Sequence, residues 1–178
     1  MQAYALRTDA NNFRGYVVVN SADHGAFGEF YGKPSEGRWR PISMELIPDR
    51  KRQRELPVGD FPAIFTGMMP ALSQRAVEVL RDLLEPVGEL LPLACDQEPL
   101  WVFNCTRFAD VLDEAASELS RFPSSGRIMN IRRHVWRPEV DQETCFRLPQ
   151  LHRSVVYVTD VVVERMRSAG LLGYALRE

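Results

Sequence analysis

Residues Ser73 to Leu93 constrain the fold more than any other stretch. They read Ser-Gln-Arg-Ala-Val-Glu-Val-Leu-Arg-Asp-Leu-Leu-Glu-Pro-Val-Gly-Glu-Leu-Leu-Pro-Leu. A serine before a run of period three to four predicts a capped helix, because its hydroxyl accepts a hydrogen bond from an otherwise orphaned N–H of the first turn. Ala76, Val77, Leu80, Leu83 and Leu84 fall on one face, and Glu78, Arg81, Asp82 and Glu85 on the other. Pro86 ends the helix, since it has no N–H and its ring clashes with the previous turn. Leu90, Leu91 and Leu93, bounded by Gly88 and interrupted by Pro92, predict an edge strand or extended segment. Burying the five apolar side chains is worth on the order of 10 kcal/mol as an upper bound, enough to anchor a domain.

The remaining elements arrange themselves around this helix. Met1 to Leu6 and Tyr16 to Asn20 read as strands, the second being rich in β-branched residues. Residues 21–40 hold Gly25, Gly28, Gly32 and Gly37 among Phe27, Phe30, Tyr31 and Trp39, and read as a loop or short hairpin, with the aromatics as local core or as interface anchors. Pro41 to Ile47 alternates and predicts a half-buried strand. Leu56 to Pro70 is rich in Pro and Gly and reads as a linker or ordered loop.

In the second half, Leu100 to Asn104 is the clearest strand, with Trp101 and Phe103 on one face. Thr106 to Leu119 is expected to be helical, with Phe108, Val111, Leu112, Ala115 and Leu119 inward. Short strands are expected at Ile128 to Ile131, Arg133 to Trp136, Cys145 to Leu148 and Val155 to Val158. Thr159 or Asp160 then caps a helix from Val161 to Ala169, Gly170 closes it with a left-handed residue, and Leu171 to Leu176 returns as a strand. The irregular alternation predicts an α+β fold: a mixed or antiparallel sheet with a few packed helices in a main domain over residues 56–178, preceded by a small β-rich lobe over residues 1–55.

Composition narrows the function classes. The chain has 178 residues, 45% of them hydrophobic, and its longest apolar runs are far short of the ~20 residues needed to span a bilayer. Met1 to Arg7 lacks a basic segment followed by an apolar one, so no signal peptide is expected and the setting reads as cytoplasmic. Three widely spaced cysteines (Cys95, Cys105, Cys145) suit buried thiols better than a disulfide framework or a zinc site. The cluster Asp49-Arg-Lys-Arg-Gln-Arg54 is flanked by acids in a chain of net charge −2, which suits a solvated loop better than nucleic-acid contact. None of His24, His134 and His152 has the neighbours of a nucleophile–base pair, and no phosphate loop is present. Neither a metal nor a cofactor is expected.

A set of separated blocks in fixed order resembles a known family. The run Leu72 to Leu93, then Leu100-Trp-Val-Phe-Asn104, Val111-Leu-Asp-Glu114, Phe146-Arg-Leu-Pro149, Val156-Tyr-Val-Thr-Asp160 and Ala169-Gly-Leu171 is similar to the immunity-protein family of bacterial polymorphic toxin systems first described from a myxobacterial member. The blocks span residues 56–176, with a variable segment before them. The chain departs from the expected pattern at Thr159, where Ser is expected, and in Leu171-Leu-Gly-Tyr174. The resemblance implies an intracellular α+β protein without catalytic apparatus that binds and neutralises a cognate toxin.

Charge offers a candidate contact surface. Residues 61–120 carry three basic and ten acidic groups, while residues 121–178 carry ten and six. An acidic middle would speed association with a toxin whose substrate cleft is basic. The expected partner-binding residues are therefore Glu78, Asp82 and Glu85 on the first helix, with Asp110, Asp113, Glu114 and Glu118 on the next. The competing reading is that these acids pair with arginines of the same fold. Two other functions stay open: a small-ligand binder or enzyme with a pocket between the N-terminal lobe and the main domain, and a subunit of a larger assembly marked by an exposed apolar patch.

Overall fold

A computed structural model describes residues 1–47, 56–64, 69–151 and 154–178. The basic cluster Asp49 to Arg54, the boundary expected at residue 55, part of the Leu56 to Pro70 segment, and His152 lie outside the described residues.

The described elements are β1 (Ala3–Thr8), β2 (Tyr16–Val18), α1 (His24–Glu29), β3 (Met44–Leu46), β4 (Ala71–Ser73), α2 (Gln74–Leu84), β5 (Gly88–Leu93), β6 (Leu100–Cys105), β7 (Glu118–Arg121), β8 (Ile128–Arg133), β9 (Cys145–Phe146), β10 (Tyr157–Thr159), α3 (Asp160–Ser168) and β11 (Tyr174–Arg177). They form an α+β domain with four antiparallel sheets, of order β11-β1-β10-β9, β4-β6-β5, β2-β3 and β7-β8.

Strand periodicity explains how these sheets stack. In β6, Phe103 and Trp101 face a core shared with α2, while Leu100 and Val102 face a second core with Tyr16, Val18, Phe27 and Met44. In β1, Leu6 and Tyr4 face the α2 side, while Ala3 and Ala5 face a third core with Tyr157, Phe146, Val111 and Leu112. Successive side chains on a strand point to opposite faces. The two larger sheets therefore enclose α2 and α3 between them. The segment bearing β2, β3 and α1 covers the outer face of one sheet, and the β7–β8 hairpin covers the outer face of the other. β1 sits between β11 and β10, so the first strand of the chain belongs to the sheet built by its last fifth.

Helix α2 forms as its sequence dictates. Ser73 Oγ accepts from the Ala76 N–H at 3.1 Å, and Ala76, Val77, Leu80 and Leu84 are buried. Leu83 is only half-buried. Pro86 lies in a short 3-10 turn, Glu85–Val87, and β5 follows as an edge strand, paired with β6 alone among the described residues. Gly88 is required there by space, because a Cβ would stand 2.5 Å from the Asn104 carbonyl oxygen.

Three local expectations are corrected. Thr106 to Leu119 is not a helix. Its backbone is taken up by distant segments: Ala109 N–H donates to Arg147, Asp113 N–H donates to Val135, and the Val111 carbonyl accepts from Arg137. As a result Phe108, expected inward, is 43% exposed, and Glu118 and Leu119 fall in β7. Residues 24–29, expected as loop or hairpin, form α1, after an Asn20 side chain caps the preceding turn at Ala22. Phe27 and Phe30 are buried there, stacked edge-on to Trp39, as local core. Neither Thr159 nor Asp160 caps α3 with its side chain. Thr159 Oγ1 donates to the Glu143 carbonyl, and the Asp160 carboxylate accepts from the Gln2 N–H at 2.7 Å, so both side chains tie other segments to the helix start. Gly170 takes the expected left-handed conformation, φ +63°.

Candidate binding groove

The seven acids expected to form one surface lie apart. Glu78, Asp82 and Glu85 sit on the outer face of α2, whereas residues 110–118 lie beyond the β11-β1-β10-β9 sheet, on its other side. Five of them are engaged by arginines of the same chain. Asp82 pairs with Arg165 at 3.1 Å, Glu85 with Arg81 at 2.6 Å, Asp110 with Arg137 at 3.4 Å, Glu114 with Arg121 at 2.6 Å and Glu118 with Arg133 at 3.2 Å. Asp113 closes a turn by accepting the Ala115 and Ala116 N–H groups, and Glu78 accepts from Gln74. Exposed pairs of this kind add little stability, but they cancel the local field that a contact with a basic cleft would use.

Residues 31–35 are joined to the rest of the domain by a polar network. Asn104, fully buried, accepts from the Gly32 N–H at 2.9 Å and donates to the Lys33 carbonyl at 2.7 Å. Glu89 accepts from the Ser35 N–H and hydroxyl, both at 2.9 Å. The polar groups of Asn104, Glu89 and Ser35 meet one another and the backbone, which fixes this loop.

A concave site lies elsewhere. Between the β7–β8 hairpin and the outer face of the β11-β1-β10-β9 sheet is a groove of about 430 Å³. Ala5, Arg7 and Arg177 form its floor, Ile128 and Met129 its hairpin side, and Leu151 and Val155 its far wall. His134 and Tyr157 close its back. His134 Nε2 is 3.0 Å from the Tyr157 hydroxyl, and the imidazole stacks on Trp136 with ring centres 5.0 Å apart. Trp136 is itself fixed by donating its indole N–H to the Ala3 carbonyl at 3.1 Å.

The electrostatics of this back wall favour neutral groups. Burial lowers the His134 pKa below its ordinary 6.5, and the Glu178 backbone pulls the other way from outside hydrogen-bonding geometry. Burial pushes the Tyr157 hydroxyl up to about 12. At neutral pH the site therefore presents an uncharged imidazole and an intact phenol, each occupied by the other. The buried thiols of Cys105 and Cys145 are also held protonated, Cys105 pushed up to about 11 by burial. Among the described residues, no group of three or more His, Cys, Asp or Glu side chains is placed to hold a metal ion, and no helix is long and apolar enough to cross a membrane.

The lowered His134 pKa has a consequence for stability. Below pH 6.5 the unfolded chain binds a proton at this position that the folded chain refuses, so stability falls as pH falls from 6.5 toward the folded pKa. An NMR titration of the His134 ring is expected to show a midpoint below 6.5, and His134→Gln to flatten this part of the stability profile. A midpoint at or above 6.5 would show that the ring is not desolvated as described.

Arg7, Tyr157 and Arg177 are brought together by the sheet, with β1 central and β11 at its edge, and His134 meets them from the segment after β8. Their one sequence trace is the spacing of His134 and Trp136, two residues apart in an extended stretch and so on one side. No family model and no curated protein matches the chain.

Proposed function

We propose that this chain is a non-enzymatic binding protein of the immunity type, which acts in the bacterial cytoplasm by covering a cognate toxin. The observation that supports this reading best is the groove under the β7–β8 hairpin. It combines apolar walls, two arginines on its floor, and a back wall whose imidazole and phenol are held neutral and mutually engaged. That is the composition of a recognition surface, in which a few polar groups orient a partner along an apolar cleft. A site for acyl or phosphoryl transfer would instead need a nucleophile activated by a neighbouring base. The internal pairing of the acids moves the proposed contact from the acidic surface to this groove.

The test is co-expression with the toxin encoded beside the gene. Growth is expected to be restored and a stable complex recovered. Continued toxicity with no complex would overturn the reading.

A further inference from the structure

We infer that the groove takes an extended acidic segment of the protein partner, added as a strand along the open edge of β8 and anchored by its carboxylates on Arg7 and Arg177. This rests on the binding-protein reading above.

Three observations carry it. First, Ile128, Met129, Asn130 and Ile131 all line the groove. Consecutive residues of a strand point to opposite faces, so a groove bordered by four in a row runs along the strand's edge. β8 pairs with β7 only, which leaves that edge without a partner strand among the described residues. An open edge offers a row of backbone donors and acceptors to an extended peptide.

Second, the floor is cationic and unspent. Arg177 stands opposite Ala5 in the ladder and Arg7 lies two residues further along β1, so both project from the same face as diagonal neighbours. Both are exposed, and neither has a carboxylate within ion-pairing distance among the described residues, although Glu178 also lines the groove. On the hairpin itself, Arg127 and Arg132 are likewise without an ion pair among the described residues, in contrast to Arg121 and Arg133. Guanidinium groups select carboxylates by paired, planar hydrogen bonds.

Third, the rim carries apolar anchors. Met129 is 52% exposed and Phe122 46%. Such side chains bury well against alternate residues of an added strand. A nucleic-acid strand would use the same arginines but not the backbone edge, and the chain's net negative charge works against it.

The experiment uses the full chain and a short alternating Glu-Val peptide carrying a fluorophore. A Lys-Val peptide, an oligothymidylate and octanoate serve as comparison probes. The Glu-Val peptide is expected to bind with an affinity that falls as salt rises, and to slow amide hydrogen exchange at Ile128 to Arg133. Arg7→Gln with Arg177→Gln is expected to weaken it about tenfold or more; both residues are exposed, and circular dichroism checks that the fold is kept. Equal or tighter binding of the Lys-Val peptide, the oligothymidylate or octanoate, unchanged exchange at β8, or no effect of the double substitution would each overturn the inference. The two proposals fail separately. If the wild type restores growth and Arg7→Glu with Arg177→Glu does so equally, the groove is not the contact. If the peptide binds as expected but the wild type does not restore growth, the toxin reading falls and the groove stands.

Discussion

Arg147→Met is expected to lower the stability of the folded chain by about 3–5 kcal/mol, and its melting temperature by about 10 °C. Arg147 is fully buried where three segments meet. Its Nε donates to the Cys105 carbonyl at 2.8 Å, its Nη1 donates to the Ser154 carbonyl, and its guanidinium lies over the Tyr31 ring at 4.1 Å. The Tyr31 hydroxyl donates to the same Ser154 carbonyl. Methionine keeps most of the volume but strands the Cys105 oxygen, and each unsatisfied buried group costs about 1–3 kcal/mol. It also removes the cation over Tyr31 and with it part of what fixes residues 31–35. Burial pulls the Arg147 pKa down, yet a guanidinium stays protonated at neutral pH, so the charge must be solvated by these carbonyls. Lysine should not rescue, because a single ammonium cannot reproduce a fork that reaches two carbonyls and stacks on a ring. Urea unfolding of the wild type, Arg147→Met and Arg147→Lys decides the matter. A loss below about 1 kcal/mol for methionine would mean that the network contributes specificity rather than stability.

Arg147 also shows where sequence reading reaches its limit. An arginine in Phe-Arg-Leu-Pro looks like an exposed residue between apolar ones, and arginine is almost never fully buried unless its donors are met. Its partners, at residues 31, 105 and 154, are fixed by topology. Helix α2 is the opposite case. Its cap, apolar face and stop all lie within fourteen residues, Ser73 to Pro86, so each was legible, and the edge strand after it followed from Pro92. Residues 106–119 have a helical apolar spacing. Their backbone groups gain more from residues 135–137 and 147 than from an isolated helix, which is marginal at this length. The same failure carried over to the acids. Read on a helix, Asp110, Asp113, Glu114 and Glu118 would share a face. In the extended segment they are dispersed; Arg137, Arg121 and Arg133 meet Asp110, Glu114 and Glu118, and Asp113 accepts from its own turn. The net charge of a sequence window says nothing about where counter-charges from another window will land.

The reversal of sign at the proposed contact follows from this pairing. Five of the ten acids of residues 61–120 are paired with arginines of α2, α3 and the 121–137 segment. Arg7 and Arg177 are among the cations without an ion pair among the described residues, at the floor of a groove with an open strand edge. A complementary partner is therefore acidic at that point, whatever the charge of its own active site.

The second large effect is expected at Asp60, in a segment that reads as a linker but works as a joint. Asp60 is 8% exposed. Its carboxylate accepts from the Ser73 hydroxyl at 2.8 Å, the Leu172 N–H at 2.9 Å and Arg75 Nη1 at 3.2 Å, and its backbone carbonyl accepts from the Ser73 N–H at 2.9 Å. One side chain thus binds the start of α2 to the turn after α3. Asp60→Ala leaves the Ser73 hydroxyl and the Leu172 N–H unmet, for an expected loss of about 2–4 kcal/mol. Ser73→Ala removes the helix cap, since Ser73 Oγ accepts from Ala76, and is expected to cost about 1 kcal/mol. Because the serine hydroxyl donates to Asp60 while accepting from the helix, the two losses share one hydrogen-bond chain. The double variant is expected to lose less than the sum of the single ones, with a coupling of about 0.5–3 kcal/mol in urea unfolding. Additive losses would show that the cap holds α2 without Asp60, and that the carboxylate serves the Leu172 turn alone.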